Sequence, residues 1–328
     1  MSAVTAIRPI DARSYAPHDL HTTQRAWGES NCYIDVWIEV LSALGCDPVA
    51  CLPFVLRLDW EADQFTFFKP PLEDLHDLYG VEVQELTVYR GILKNAEEQL
   101  RAGRIVLTES DAFYLPDTAG TDYRTQHTKT TIGIQELDVE GRRLGYFHNA
   151  GYYELRDADF VGLFRLDAPP DPAFMPLFAE LVRVDRVVKL EAPAIEARSV
   201  ALLRKHLSRR PQSNPIIRFG KRFGEDLARL RGEGIEPYHQ YAFATIRQLG
   251  AAFELAAVYL RWLAGRGESE LEPSIEAFDA ISLTCKSLIL KAARAVTSSK
   301  PVDLAPMLHE LESQWSAGVS HLARRFGA

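Results

Sequence analysis

Gly28-Glu29-Ser30-Asn31-Cys32-Tyr33-Ile34-Asp35-Val36-Trp37 sets one cysteine between a small polar loop and the start of an apolar helical pattern. Apolar residues recur at Ile34, Trp37, Val40, Leu41 and Leu44, the spacing of one helix face, and Gly45 supplies a stop. Cys32 therefore falls in the first turn, where unpaired backbone N–H groups and the helix dipole favour negative charge. Such a position favours a thiolate, the reactive form of cysteine. The same residue also suits a buried small apolar side chain.

Outward from that helix, the 328 residues leave room for two domains. With 47% hydrophobic and 25% charged residues the chain has the balance of an ordinary globular protein, so a core forms without disulfide staples. The four cysteines, Cys32, Cys46, Cys51 and Cys285, form no C-x-x-C pair, which argues against zinc, any other metal centre and a disulfide framework. Met1 to Tyr15 has no long apolar run and no stretch reaches membrane-spanning length, so a cytoplasmic protein without signal peptide or membrane segment is expected. The net charge of −8 argues against general nucleic-acid binding. Arg204 to Gly232 is locally basic, and Arg218, Lys221 and Arg222 within it are candidates to receive a phosphate or an acidic protein; a solvated helix face is the plainer reading.

Residues 46–80 are mixed and aromatic, with a Pro70-Pro71 break. Val81 to Tyr89 reads as a strand, Ile92 to Ala102 as a helix stopped by Gly103, and Arg104 to Thr108 as a strand that leaves its sheet by Pro116. His127 to Asp138 and Arg143 to His148 read as a hairpin about the turn Glu140-Gly141-Arg142. Composition changes at Ala168-Pro169-Pro170-Asp171-Pro172, giving domains 1–167 and 168–328. From about residue 174 the pattern is helical, with long helices over Tyr238–Ala264, Ala277–Val296 and Ala305–Phe326.

Thiol catalysis needs a base within hydrogen-bond reach and a third group to orient that base. A helix-starting cysteine followed far downstream by a histidine and then Asn or Asp is the papain-like order. Cys32, His127 and Asn149 stand in it, and a hairpin of 127–138 with 143–149 brings the last two together across the strands. His148 is an alternative base, pointing to the other face from Asn149. Asp111, at the end of its strand, is a pocket candidate; it also suits a turn cap. Asn149 before Ala-Gly also suits a turn.

The run Ile92–Leu100, Gly103-Arg104-Ile105-Val106-Leu107, Asp111-Ala112-Phe113-Tyr114-Leu115-Pro116, then His127 and a strand pair, resembles the N-terminal domain of the butirosin-type acyltransferase family. Tyr114-Leu115-Pro116-Asp117-Thr118, His127-Thr128-Lys129-Thr130-Thr131 and Gly145-Tyr146-Phe147-His148-Asn149-Ala150-Gly151 resemble a further bacterial family, associated with genomes that carry amino acid:carrier-protein ligases. The resemblance covers about residues 27–160, and beyond them only helical character. It implies an α+β fold, a papain-like cysteine domain followed by an all-helical domain. It also implies transfer of an acyl or aminoacyl group from the phosphopantetheine thioester of a carrier protein to an amine on a small molecule or protein. The chain departs from that pattern at Asp117, where the family often has Tyr, and at Thr130, where it has a second histidine. Asn149 stands for its usual Asp. Ala26 stands where papain-like enzymes place a glutamine, leaving Gln24 or Asn31 as oxyanion donor beside the Cys32 N–H.

The expected activity is thus acyl transfer by Cys32, with His127 as base, Asn149 as its orienter and no permanently bound cofactor. A papain-like peptidase or amidase and a non-catalytic binder of a carrier protein or ligand are the alternatives.

Overall fold

In a computed structural model, residues 3–21, 25–169, 177–298 and 302–327 are described. The chain divides into two units. The first comprises Met1–Thr22, Asn31–Pro48 and Leu72–Leu190, the second Thr23–Ser30, Val49–Pro71 and Glu191–Ala328. In chain order the strands are β1 (Val4–Thr5), β2 (Trp60–Glu61), β3 (Gln64–Phe65), β4 (Glu82–Leu86), β5 (Arg104–Asp111), β6 (Lys129–Asp138), β7 (Arg143–His148), β8 (Gly151–Arg156) and β9 (Ala179–Arg183). The helices are α1 (Cys32–Ala43), α2 (Leu72–Tyr79), α3 (Ile92–Arg101), α4 (Asp157–Leu163), α5 (Ala192–Ser208), α6 (Pro215–Glu233), α7 (Ile235–Ala242), α8 (Gln248–Ala264), α9 (Glu272–Thr297) and α10 (Ala305–Phe326).

The first unit is an antiparallel sheet in the order β4-β9-β5-β6-β7-β8, with β1 paired to β6. Helix α1 begins where expected. The Asn31 side chain accepts from the Tyr33 and Ile34 N–H groups, and Gly45 takes a φ of 74° at the stop. Ile34, Val36, Trp37, Val40 and Leu41 are fully buried, each contributing about 1.5–3 kcal/mol of apolar burial. A Cβ on Gly133 of β6 would meet Val36 Cγ1 at 3.3 Å, so glycine sets how closely α1 approaches this face. On the other face Ile132, Ile134, Leu144 and Tyr146 pack with Ala96 and Leu100 of α3. A bulge at Gln135, between Ile134 and Glu136, shifts the β6–β7 register.

Three expectations need correction here. Strand β6 begins at Lys129, so His127 precedes it. Residues near 180 form β9, inserted between β4 and β5, rather than helix: a five-residue strand with the sequence AELVR is too short to show its period. The first unit therefore continues past residue 167 to Leu190, while segments 23–30 and 49–71 belong to the second unit; part of the proline-rich junction, 170–172, lies outside the described residues.

The second unit is helical, from α5 to α10, with the β2–β3 hairpin packed by Trp60 and Phe65 against Phe219 at ring distances of 5.2 and 5.5 Å. Segment 23–30 joins it through Arg25, paired with Glu254 at 3.1 Å, and Trp27, whose indole N–H donates to Ser282 at 3.1 Å. Phe243–Arg247 form a π turn between α7 and α8, inside the long helical run read from sequence. Among the described residues no helix is long and apolar enough to cross a membrane.

Candidate functional site

Cys32 opens α1, half-buried, with Sγ 3.6 Å from Thr131 Oγ1 of β6. Among the described residues no hydrogen bond joins it to a histidine. Asn31, expected as an oxyanion donor, caps the helix with its side-chain Oδ1, which accepts from the Tyr33 and Ile34 N–H groups, and Gln24 lies outside the described residues. Burial pushes the Cys46 thiol up to about 11 and raises that of Cys285 further, so both stay protonated at neutral pH.

His127 is brought to Asp111, not to Asn149. Its Nδ1 lies 2.6 Å from Asp111 Oδ2, and its ring stacks on Phe113 with centroids 4.4 Å apart and planes at 18°. Asp111 Oδ1 accepts from the Phe113 N–H, which fixes the carboxylate in turn. With Nδ1–H donating to the carboxylate, Nε2 carries the lone pair, and among the described residues it has no hydrogen-bond partner. The imidazole is largely exposed and lines a half-open cavity of about 410 Å³ on the α3 side of the sheet. Ile132 and Ile134 lie beneath that cavity, and Asp111, Lys129 and Arg165 stand with His127 among its polar lining.

The hairpin expectation fails on register. Gly133 pairs with Phe147, which puts Asn149 level with Thr131 rather than His127. Asn149 sits in the two-residue turn between β7 and β8 at a φ of 42°, and among the described residues its side chain makes no hydrogen bond. It orients no imidazole.

His148 belongs to a separate, buried network. Its Nδ1–H donates to Asp117 Oδ2 at 2.5 Å, and its Nε2 meets Thr130 Oγ1 at 2.8 Å. Asp117 Oδ1 also accepts from the Tyr146 hydroxyl at 2.5 Å. Thr130 and Thr131, adjacent along β6, point to opposite faces, so the sheet separates His148 from Cys32.

Of the basic candidates on α6, Arg218 is held by Asp59, and Arg222 pairs with Asp226 at 3.1 Å. Lys221 is exposed and makes no ion pair among the described residues. No group of three or more His, Cys, Asp or Glu side chains among the described residues is arranged to hold a metal ion.

What sequence reasoning missed is the partnership of Asp111 with His127. It follows from the pairing of Asp111 with Lys129, which brings His127, two residues before Lys129, beside the end of β5; no local sequence signal marks it.

Residues 16–184 match the family model of the DUF1839 N-terminal domain, and residues 193–324 that of the DUF1839 C-terminal domain. The junction between the two matches falls after β9. A search of the curated proteins found no match.

Proposed function

The chain belongs to the DUF1839 family, and from that premise we propose an acyltransferase in which His127, oriented by Asp111, is the general base. The observation that carries the reading is the Asp111–His127 pair at 2.6 Å beside a cavity, with Nε2 unengaged. The acceptor's N–H or O–H gives its proton to Nε2 as its lone pair attacks the thioester carbonyl. The C–S bond then breaks, and the imidazolium returns the proton to the departing thiolate. Asp111 holds the tautomer and stabilises the imidazolium.

The donor is assigned as the phosphopantetheine thioester of a carrier protein. The resemblance of residues 27–160 to butirosin-type acyltransferases supports this, and so does the exposed charge of Lys221. A papain-like first domain is supported by a cysteine-started helix packed on an antiparallel sheet.

The test uses acetyl-pantetheine as donor and hydroxylamine as acceptor, reading thiol release. His127→Ala is expected to slow release by about 10²–10⁴-fold, the usual contribution of a positioned base. Cys32→Ala is expected to keep the rate. The opposite pattern would replace the base reading with a cysteine nucleophile. That second reading has its own support in the half-buried thiol at the α1 N-terminus, 3.6 Å from Thr131 Oγ1.

A further inference from the structure

The cavity beside His127 has a polar mouth and an apolar body. Ile92, Ile132, Ile134, Leu163, Phe164 and Leu177 form the body. Ile132 and Ile134 are a buried floor, and the other four are half-buried walls. Of the polar groups lining it, the Thr108 hydroxyl donates to the Phe178 carbonyl at 2.8 Å. Among the described residues no lining side chain leaves a buried polar atom without a partner. The Ser110 hydroxyl also lines the cavity, but the apolar side chains supply most of its wall, so a ligand body placed there gains by removing apolar surface from water.

The mouth differs. Lys129 and the exposed Arg165 stand there with Glu109 and Asp111, and His127 presents an Nε2 that has no hydrogen-bond partner among the described residues. An ammonium group would need a carboxylate, but Asp111 is engaged by His127 and Glu109 lies 3.5 Å from the Lys129 ammonium. With both carboxylates engaged, the lining suits an apolar chain with an uncharged carbonyl head better than an aminoacyl group with its ammonium. The volume of about 410 Å³ falls within the range of small-molecule sites.

We infer that this cavity binds the aliphatic chain of a medium-length fatty acyl group, with its carbonyl end at His127. The inference rests on the acyl-transfer reading and names the acyl class. The chain lies along Leu163, Phe164 and Leu177, and its head stays at the wet mouth beside Lys129.

The experiment is calorimetric titration of the full chain with hexanoate, octanoate and decanoate, without turnover. Kd is expected to fall about fourfold for each added methylene, the ratio implied by about 0.8 kcal/mol per buried CH₂. Leu163→Asp is expected to weaken octanoate at least tenfold. Leu177→Asp, outside any helix, gives a second reading if the first variant fails to fold. Absence of binding by all three acids, a Kd indifferent to chain length, or tighter binding of leucine than of octanoate would overturn the inference. The slope is expected to survive in His127→Ala. A slope without His127-dependent thiol release sinks the base reading alone; His127-dependent release without a slope sinks the chain reading alone.

Discussion

His148 Nε2 lies 2.8 Å from Thr130 Oγ1, on the face of β6 opposite the one that brings Thr131 to Cys32. Carboxylate, imidazole and hydroxyl form a continuous Asp117–His148–Thr130 chain, an arrangement associated with nucleophile activation. Its members are buried, however, and none of the three lines the cavity. Its role is therefore to tie the turn at Pro116–Thr118 to the sheet. Removing the imidazole leaves the buried Asp117 carboxylate with the Tyr146 hydroxyl as its one remaining donor among the described residues. His148→Ala is expected to cost the first unit about 3–5 kcal/mol, as breaking a buried pair does. Thr130→Val should cost only about 1–3 kcal/mol, the price of one unmet hydrogen bond. Urea unfolding of both variants checks the order, and equal small losses would show that the network bears no load.

The exposed dyad predicts the reverse pattern. His127→Ala removes a largely exposed ring, so its unfolding midpoint is expected to stay within about 0.5 kcal/mol of wild type. Asp111→Asn is the sharper test. An amide N–H directed at Nδ1 would leave the proton on Nε2 and remove the lone pair the reaction needs. Thiol release is expected to fall about a hundredfold or more, as in other Asp–His pairs forced into the wrong tautomer. An Asp111→Asn variant at full rate would show that Asp111 does not set the tautomer.

Cys32 and His127 are expected to behave independently, because no hydrogen bond links them among the described residues. Iodoacetamide alkylation of Cys32, followed by peptide mass spectrometry across pH, should give the same profile in wild type and His127→Ala. A profile that moves when the imidazole is removed would restore the cysteine–histidine pair.

His21 gives stability a pH dependence. Burial opposes its charge, but hydrogen bonds to Asp35 and Glu39, together with their negative charges, outweigh burial and raise it to about 9 from an ordinary 6.5. A raised folded-state value means that the unfolded chain loses this proton first. The stabilisation is then complete below about pH 6.5 and is lost as pH rises through about 9. The unfolding midpoint is expected to decline over that window, and His21→Gln should flatten the decline. A His21→Gln curve parallel to wild type would mean that other groups carry the dependence.

How far the sequence could be read follows from where each signal resides. Helix α1 was legible because its period and stop are local: Ile34, Trp37, Leu41 and Gly45; its cap, Asn31, reads in the sequence as an oxyanion donor instead. The β6–β7 hairpin was legible for the same reason, but its register was not. The bulge at Gln135 moves the register by one residue, from Ile132 to Thr131 opposite Asn149, and with or without it His127 lies beyond the reach of that turn. The partner of His127 depends on closure of β5 onto β6, a non-local event, so Asp111 reads as a pocket candidate or a turn cap and its contact with His127 goes unread. Trp27, eight residues before Asp35, packs in the second unit, a destination the chain around it does not announce.

That destination supports a last prediction. Gly250, in the buried helix α8, faces the Trp27 indole, and a Cβ there would meet indole atoms at 2.6, 2.7 and 2.8 Å. The ring has little room to retreat. It is 6% exposed, and its N–H is fixed by Ser282. Alanine normally favours a helix over glycine by about 1 kcal/mol, so in an open position the substitution would stabilise α8. Here overpacking is expected to win, with Gly250→Ala costing the second unit about 1–3 kcal/mol. Trp27→Ala removes the obstruction, so adding Gly250→Ala to it should be neutral or stabilising. A double-mutant cycle measured by denaturant unfolding isolates the coupling. Additive effects of the two substitutions would mean that the indole does not occupy the space above Gly250 in solution.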